Sequence, residues 1–218
     1  MELGTEPTLR VTEIFRSIQG ESTRAGFPCA FIRLTGCSLR CVWCDTAYAF
    51  SGGEEVSVSQ AAERVFALRT DLVEVTGGEP LEQEGVYPLM ERLLERGKTV
   101  LLETGGHVPL DRVDPRVVKI VDVKAPGSGM MAANLLENLE TLGPRDELKF
   151  VLADRRDFDW ALDFVADRDL DGRHVVTFSP VWEKLGAADL AGWIRDSGRP
   201  IRLGLQLHKL LWGDAPGR

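Results

Sequence analysis

Cys37, Cys41 and Cys44 fall in one short stretch, TGCSLRCVWCDTAY, of a chain whose one other cysteine is Cys29. Thiolates suit zinc, copper(I) and iron–sulfur clusters. In a reducing compartment such a group of cysteines reads as metal or redox chemistry before it reads as a disulfide. Three sulfurs are one short of a closed tetrahedral zinc site or a four-cysteine cluster site. A metal held by three protein groups keeps an open position, where catalytic metals accept a ligand. Cys29 sits inside the apolar run PCAFIRL, where it reads as a small buried hydrophobe; as a fourth ligand it would close the site.

Other chemistry-bearing residues stand at the ends of apolar runs. Thr76-Gly77-Gly78-Glu79-Pro80 places a glycine pair where backbone can approach a ligand closely, with Glu79 as an acceptor for an ammonium group. Glu103, in LETGG, and Lys124, in DVKAP, could hold hydroxyls and a carboxylate; each could equally be a solvated charge at a strand end. Arg33 is a charge in an otherwise apolar run. If buried it needs a partner, either a bidentate ligand carboxylate or a structural pair such as Glu21. Asp45-Thr46 offers hard oxygens that would suit Mg²⁺, or forms a turn or helix cap.

The elements that position these groups alternate. Short apolar runs at 9–15, 29–34, 72–76, 99–103, 117–123, 147–152, 174–178 and 201–205 read as buried parallel strands. Helical stretches lie at 58–68, after the capping box of Ser57 and Gln60, and at 86–96, stopped by Gly97. Further helices are expected at 135–142, 157–167 and 187–196. About six parallel strands in βα repeats, with an added N-terminal strand at the edge, predict an α/β fold: an abbreviated, partial β/α barrel, one domain over 1–218. A full eight-fold barrel takes about 250 residues; a flat doubly wound sheet is the alternative. In either, ligands gather at the carboxyl ends of the strands.

Composition narrows the class. The chain has 218 residues, 44% hydrophobic and 28% charged, which excludes a disordered tail, a collagen-like repeat and a small disulfide scaffold. With 26 Lys and Arg against 34 Asp and Glu, net −8, it lacks the electrostatic footprint of a nucleic-acid binder or of a protein held on an anionic membrane. No apolar run approaches the ~18 residues of a membrane span, and MELGTEPTLR lacks a secretory pattern. A soluble cytoplasmic protein is expected.

The CxxxCxxC segment at a strand end, with an aromatic before the last cysteine and TGGEP one βα unit on, resembles the radical S-adenosylmethionine (radical SAM) superfamily. The joint pattern IQGE…R-x3-C-x3-C-x2-C-D-T…TGGEP…DVKAPGSG…LQLHK, over residues 13–212, resembles the 7-carboxy-7-deazaguanine synthase family. The resemblance implies a radical SAM lyase that contracts 6-carboxy-5,6,7,8-tetrahydropterin to 7-carboxy-7-deazaguanine with loss of ammonia, on the route to queuosine and other deazapurines. It implies a [4Fe–4S] cluster, S-adenosyl-L-methionine and Mg²⁺ as cofactors, a one-electron donor such as flavodoxin or ferredoxin, and a homodimer. By position, Cys37, Cys41 and Cys44 would bind the cluster and Thr46 the Mg²⁺. Arg33 would meet the substrate carboxylate, while Ile18, Gln19, Gly20, Glu21, Thr76 and His208 line the pterin site. Trp43, Cys44, Asp45, Gly78, Glu79 and Glu103 would surround S-adenosylmethionine, together with Asp122, Val123, Lys124, Phe178, Ser179, Pro180 and Val181. The chemistry itself would belong to the cofactor radical, with no certain catalytic side chain. In some members the chain stops soon after the His-Lys pair and its terminal carboxylate reaches the substrate; here it runs on to Arg218. Two other readings are an activase that installs a glycyl radical on a partner protein, and a non-catalytic zinc or iron–sulfur module with Cys29 or His208 as fourth ligand.

Overall fold

A computed structural model describes residues 6–213 and 217 of the chain. The apolar runs form one nine-stranded sheet: β1 (Thr8–Ile18), β2 (Pro28–Leu34), β3 (Glu54–Ser57), β4 (Leu72–Gly77), β5 (Thr99–Thr104), β6 (Val118–Asp122), β7 (Glu147–Leu152), β8 (Val175–Pro180) and β9 (Arg202–Leu203). The spatial order is β3-β1-β2-β4-β5-β6-β7-β8-β9. From β2 through β9 every neighbouring pair is parallel, while β1 runs antiparallel to both β2 and β3. The two ends of the order, β3 and β9, do not pair with each other, so the sheet curls without closing.

Period-two alternation gives this sheet two unlike faces. Ala30, Ile32, Leu34, Val73, Val75, Val100, Leu102, Leu148, Phe150, Val176 and Phe178 belong to the main core. They pack against α1 (Val58–Ala67), α2 (Val86–Glu95), α3 (Arg155–Asp167) and α4 (Ala187–Ser197). Each large side chain so buried contributes about 1.5–3 kcal/mol. The opposite, concave face carries a smaller apolar cluster, with Cys29, Phe31, Leu72, Leu101, Val118 and Ile120, and Phe15 stacked on Phe31 at 5.0 Å. Above this floor, toward the carboxyl ends, the same face turns polar with Arg33, Glu74, Thr76, Glu103, Asp122, Lys149 and Ser179.

Local signals hold where they were strongest. Ser57 and Gln60 form the capping box of α1, and Gly97, at φ 75°, takes the left-handed turn that stops the chain after α2. Three expectations change. The stretch at 135–142 forms a 3₁₀ helix, Leu136–Thr141, instead of an α-helix. The first strand is not the edge, because β3 covers its outer side; four residues were too few to stand out as a run. The last run shrinks to the two residues of β9, and the chain then turns into the short α5 (Leu207–Trp212).

Candidate active site

One cavity of about 610 Å³ opens above the polar half of the concave face. The strand order brings together there residues that are far apart in sequence. Cys37, Cys41 and Cys44 lie on the loop after β2 and line one part of it, with Trp43, Asp45 and Thr46. Gly78, Glu103, Asp122, Lys124, Ser179, Pro180 and Val181 line it from successive strand ends. Ile18 at the end of β1, and Gln19, Gly20 and Glu21 from the β1–β2 connection, line it with Arg33, Thr76 and His208.

Three expected residues stand elsewhere. Val123 and Phe178 point to the helix face by strand parity and are core residues, 5% and 0% exposed. Glu79 is absent from the cavity wall and its carboxylate is taken up by the protein. It accepts from Thr104 Oγ1 at 2.9 and 3.0 Å, from the Gly105 N–H at 2.8 Å and from the Leu81 N–H at 3.1 Å. Burial pushes the Glu79 carboxyl up despite these donors and His107 beside it. Its visible task is to tie the end of β5 to the glycine pair after β4.

The cysteine loop is stitched to that same glycine pair. The Gly78 N–H donates to Leu34 O at 3.0 Å and the Glu79 N–H to Gly36 O at 2.7 Å. Ser38 Oγ meets His107 Nε2 at 3.2 Å, and that nitrogen also lies 3.1 Å from Glu82. The loop geometry is therefore set by backbone contacts on one flank and by a histidine on the other. Burial pushes the Cys37 thiol up to about 11 and raises Cys41 as well, so metal binding would release their protons. Among the described residues no three His, Cys, Asp or Glu side chains converge tightly enough for a single metal ion. A four-iron cluster binds each thiolate to a different iron and spreads its sulfurs wider, so three thiols on one cavity wall fit it. Cys29, 0% exposed in the apolar floor, is not on that wall. Lys124 lies within hydrogen-bond reach of Asp122, at 2.8 Å. Burial opposes its charge, but Asp122 and Cys41 beside it hold its pKa above the usual value.

The other half of the cavity is a network of buried charges. Arg33 Nε donates to Glu13 Oε1 at 2.7 Å, and Tyr48 OH donates to the same oxygen at 2.8 Å. Its structural partner is thus Glu13 across the β1–β2 ladder, and Glu21 is engaged otherwise. Lys149 Nζ donates to Glu21 Oε2 at 2.7 Å and to Glu103 Oε1 at 2.5 Å. Gln206 Nε2 reaches Glu21 Oε1 at 2.7 Å and Asp45 Oδ2 at 2.9 Å. Gln19 Nε2 donates to Glu74 at 2.6 Å, while Gln19 Oε1 accepts from the Glu21 and Ser22 N–H groups. Burial, with the Glu103 charge nearby, pushes the Glu74 carboxyl well above the carboxylate range. Glu103 feels the same burial, yet Lys149 holds it below that range. Burial would likewise raise Asp45, but donors Gln206 and Thr46, aided by the Lys209 and Lys149 charges, hold it low. Thr46 Oγ1 donates to Asp45 Oδ1 at 2.9 Å.

Helix α5 docks by way of Gly20, whose carbonyl accepts the Leu207 N–H at 3.1 Å. A Cβ on Gly20 would come within 2.5 Å of His208 Nδ1, so only glycine admits this histidine.

Sequence reasoning missed Glu13, Tyr48, Glu74, Lys149 and Gln206. Glu74 and Lys149 carried the signal that singled out Arg33: a charge inside an apolar strand, in LVEVTG and ELKFVL.

The chain is similar to known proteins over most of its length. The radical SAM superfamily model matches residues 31–122. A 7-carboxy-7-deazaguanine synthase of Chlorobaculum tepidum is 46% identical over 220 residues, covering 99% of this chain and 100% of the relative. A protein of the same name from Koribacter versatilis is 45% identical, covering 94% of this chain and 97% of its own. The crystal structure of QueE from Escherichia coli superimposes with a TM-score of 0.72 at 24% identity, covering 91% of this chain and 94% of that one, a likeness of fold.

Proposed function

Because the chain belongs to the 7-carboxy-7-deazaguanine synthase family of the radical SAM superfamily, we infer that it contracts 6-carboxy-5,6,7,8-tetrahydropterin to 7-carboxy-7-deazaguanine and ammonia. The observation that carries this reading is one cavity lined by three thiols together with Arg33, Glu21 and Glu103. Its cofactors are a [4Fe–4S] cluster and S-adenosylmethionine. When bound, the cluster and S-adenosylmethionine would supply a 5′-deoxyadenosyl radical for hydrogen abstraction from the substrate. The side chains then have to bind, orient and exclude water.

Cys37, Cys41 and Cys44 would hold three irons, on a loop kept in place by the Gly36–Gly78 contacts. The Gly77-Gly78 backbone, Asp122, Lys124 and Ser179 at the strand ends would receive S-adenosylmethionine, with Trp43, Pro180 and Val181 as its apolar wall. Glu13 engages only the Nε of Arg33. That leaves the terminal N–H groups as a fork for the substrate carboxylate. Lys149 ties Glu103 to Glu21, which sets Glu103 on the pterin side and not, as the resemblance implies, on the S-adenosylmethionine side. Both carboxylates can accept from the N–H groups of the pterin, and His208 closes the site from α5. Asp45 and Thr46 would supply hard oxygens to Mg²⁺ beside the substrate. Neither the activase nor the zinc-module reading gains support from the cavity, since Cys29 is sealed in the floor and the polar network is built for a small charged ligand.

The accompanying expectations belong to the same reading: a homodimer, a flavodoxin or ferredoxin as donor, and work in the cytoplasm. No helix among the described residues is long and apolar enough to cross a membrane. The test is anaerobic reconstitution with iron, sulfide, S-adenosylmethionine, a reductant and the carboxytetrahydropterin. Wild type should form the deazapurine with equimolar ammonia, and Cys41→Ala should form none. Product from Cys41→Ala, or none from wild type with a full cluster, would overturn the assignment.

A further inference from the structure

Lys149 is the one cation in contact with both carboxylates that face the substrate half of the cavity, among the described residues. Its side chain is 11% exposed, and a buried ammonium with fewer partners would cost more than it returned. Around it stand Glu21, Glu103 and Glu74. Glu74 is bound by the neutral Gln19 amide, and so differs from the two acids on the lysine. The second oxygen of each lysine-bound acid is also held: Gln206 reaches Glu21 Oε1 at 2.7 Å, and Thr76 reaches Glu103 Oε2 at 3.3 Å. Both carboxylates therefore have a fixed orientation, and Lys149 is the contact they share.

We propose that Lys149 is a positioning residue of the substrate site, which keeps Glu21 and Glu103 as a matched pair of charged acceptors beneath the donor edge of the pterin. The proposal rests on the function inferred above, because it takes its ligand chemistry from that substrate. A reduced pterin presents several N–H donors along its amino-pyrimidinone edge, and a carboxylate answers donors only while it is ionised. Without the ammonium the two carboxylates lose their shared anchor and like charges repel, so the substrate loses a charge-assisted contact. The strand ends around Lys124 form the expected S-adenosylmethionine side. Asp122 there faces Lys149 in register but bonds to Lys124, so S-adenosylmethionine binding should depend on Lys149 far less than pterin binding does. The ammonium thus acts on the pterin through the two acids it holds.

The experiment compares wild type with Lys149→Met and Lys149→Arg as reconstituted enzymes. It measures cluster content, KM for the carboxytetrahydropterin, KM for S-adenosylmethionine, and the slow cleavage of S-adenosylmethionine without pterin. The expected result for Lys149→Met is a pterin KM raised on the order of tenfold to a hundredfold, with the other three quantities within about twofold of wild type on the scale of measurable contacts. Lys149→Arg, which restores the charge, should recover most of the pterin KM. An unchanged pterin KM in Lys149→Met overturns the proposal. So does a parallel loss of cluster and both affinities, or failure of both variants to fold, since the lysine is then a structural charge. Wild type that binds a full cluster yet does not turn over the pterin defeats the functional reading; active wild type beside an unaffected Lys149→Met defeats this proposal alone.

Discussion

Gly78→Ala tests whether the cysteine loop is positioned by backbone contact. A Cβ at residue 78 would lie 1.8 Å from the Gly36 carbonyl oxygen and 3.0 Å from Cys37 Cβ. An ordinary carbon–oxygen contact is about 3.3 Å, so from 1.8 Å the two loops must part by about 1.5 Å. The obstacle is backbone, so no side-chain rotation relieves it. Parting the loops also strains the Glu79 N–H to Gly36 O bond of 2.7 Å, which sits one residue before the first cluster ligand. The stability cost is about 1–3 kcal/mol for overpacking and about 1 kcal/mol for the hydrogen bond, which an enzyme of ordinary stability survives. Function should suffer more. Reactive constellations tolerate about 0.5 Å of displacement, and 1 Å can cost about a hundredfold in rate. Iron and sulfide analysis, electron paramagnetic resonance of the reduced cluster and kcat should be measured together with a urea melt. The expected outcome is a folded protein with a perturbed cluster signal and turnover reduced on the order of a hundredfold. A variant with a wild-type cluster spectrum and turnover within about threefold of wild type, against that expected rate loss, would refute the reasoning.

Gly20→Ala should push His208 and α5 away through the 2.5 Å clash; pterin KM rises while cluster content and S-adenosylmethionine cleavage stay as in wild type. Arg33→Lys keeps the charge but loses the fork, so pterin KM should rise about tenfold to a hundredfold, read against a substrate analogue lacking the carboxylate, whose KM should not change. Glu74→Gln tests the raised carboxyl. Its folded pKa lies above the unfolded one, so the stability linked to the proton is present at acid pH and declines as pH rises through the folded value. The variant, which has nothing to titrate, should gain on wild type from pH 5.5 to 8.5 in urea melts, a window above the unfolded Glu value of about 4.3; a constant difference across that range would exclude the linkage.

What could be read ahead of the structure followed from periodicity and local spacing. Alternation along 29–34 put Cys29, Phe31 and Arg33 on one face, and they do share the concave face. The same parity, applied to 117–123 and 174–178, assigns Val123 and Phe178 to the helix side, so a rule already in hand turns their side chains away from the cavity. Glu79 is a different case: nothing local shows that Thr104 and Gly105 will consume its carboxylate. Lys149 and Glu74 became meaningful only when the strand order placed them under Glu21 and Gln19. Gln206 was quoted within its motif but had no role until α5 folded back over the cavity. Contacts across 128 or 185 positions leave no local pattern.

Those long spans bear on how the enzyme is made. Every residue of the cysteine loop, the glycine pair and the Lys124 strand end has been synthesised by residue 128, and at about 5–20 residues per second the rest takes several seconds more. The floor of the substrate half waits for Lys149, and its closing bond waits for Gln206, 185 positions after Glu21. During synthesis, therefore, the part that would carry the metal cofactor can take shape first, and the part that chooses what the radical meets is completed last. A chain interrupted just before Gln206 would have its cysteine loop and strand ends without the bond that closes its selective half, which makes Gln206 and α5 a checkpoint on the start of the chemistry.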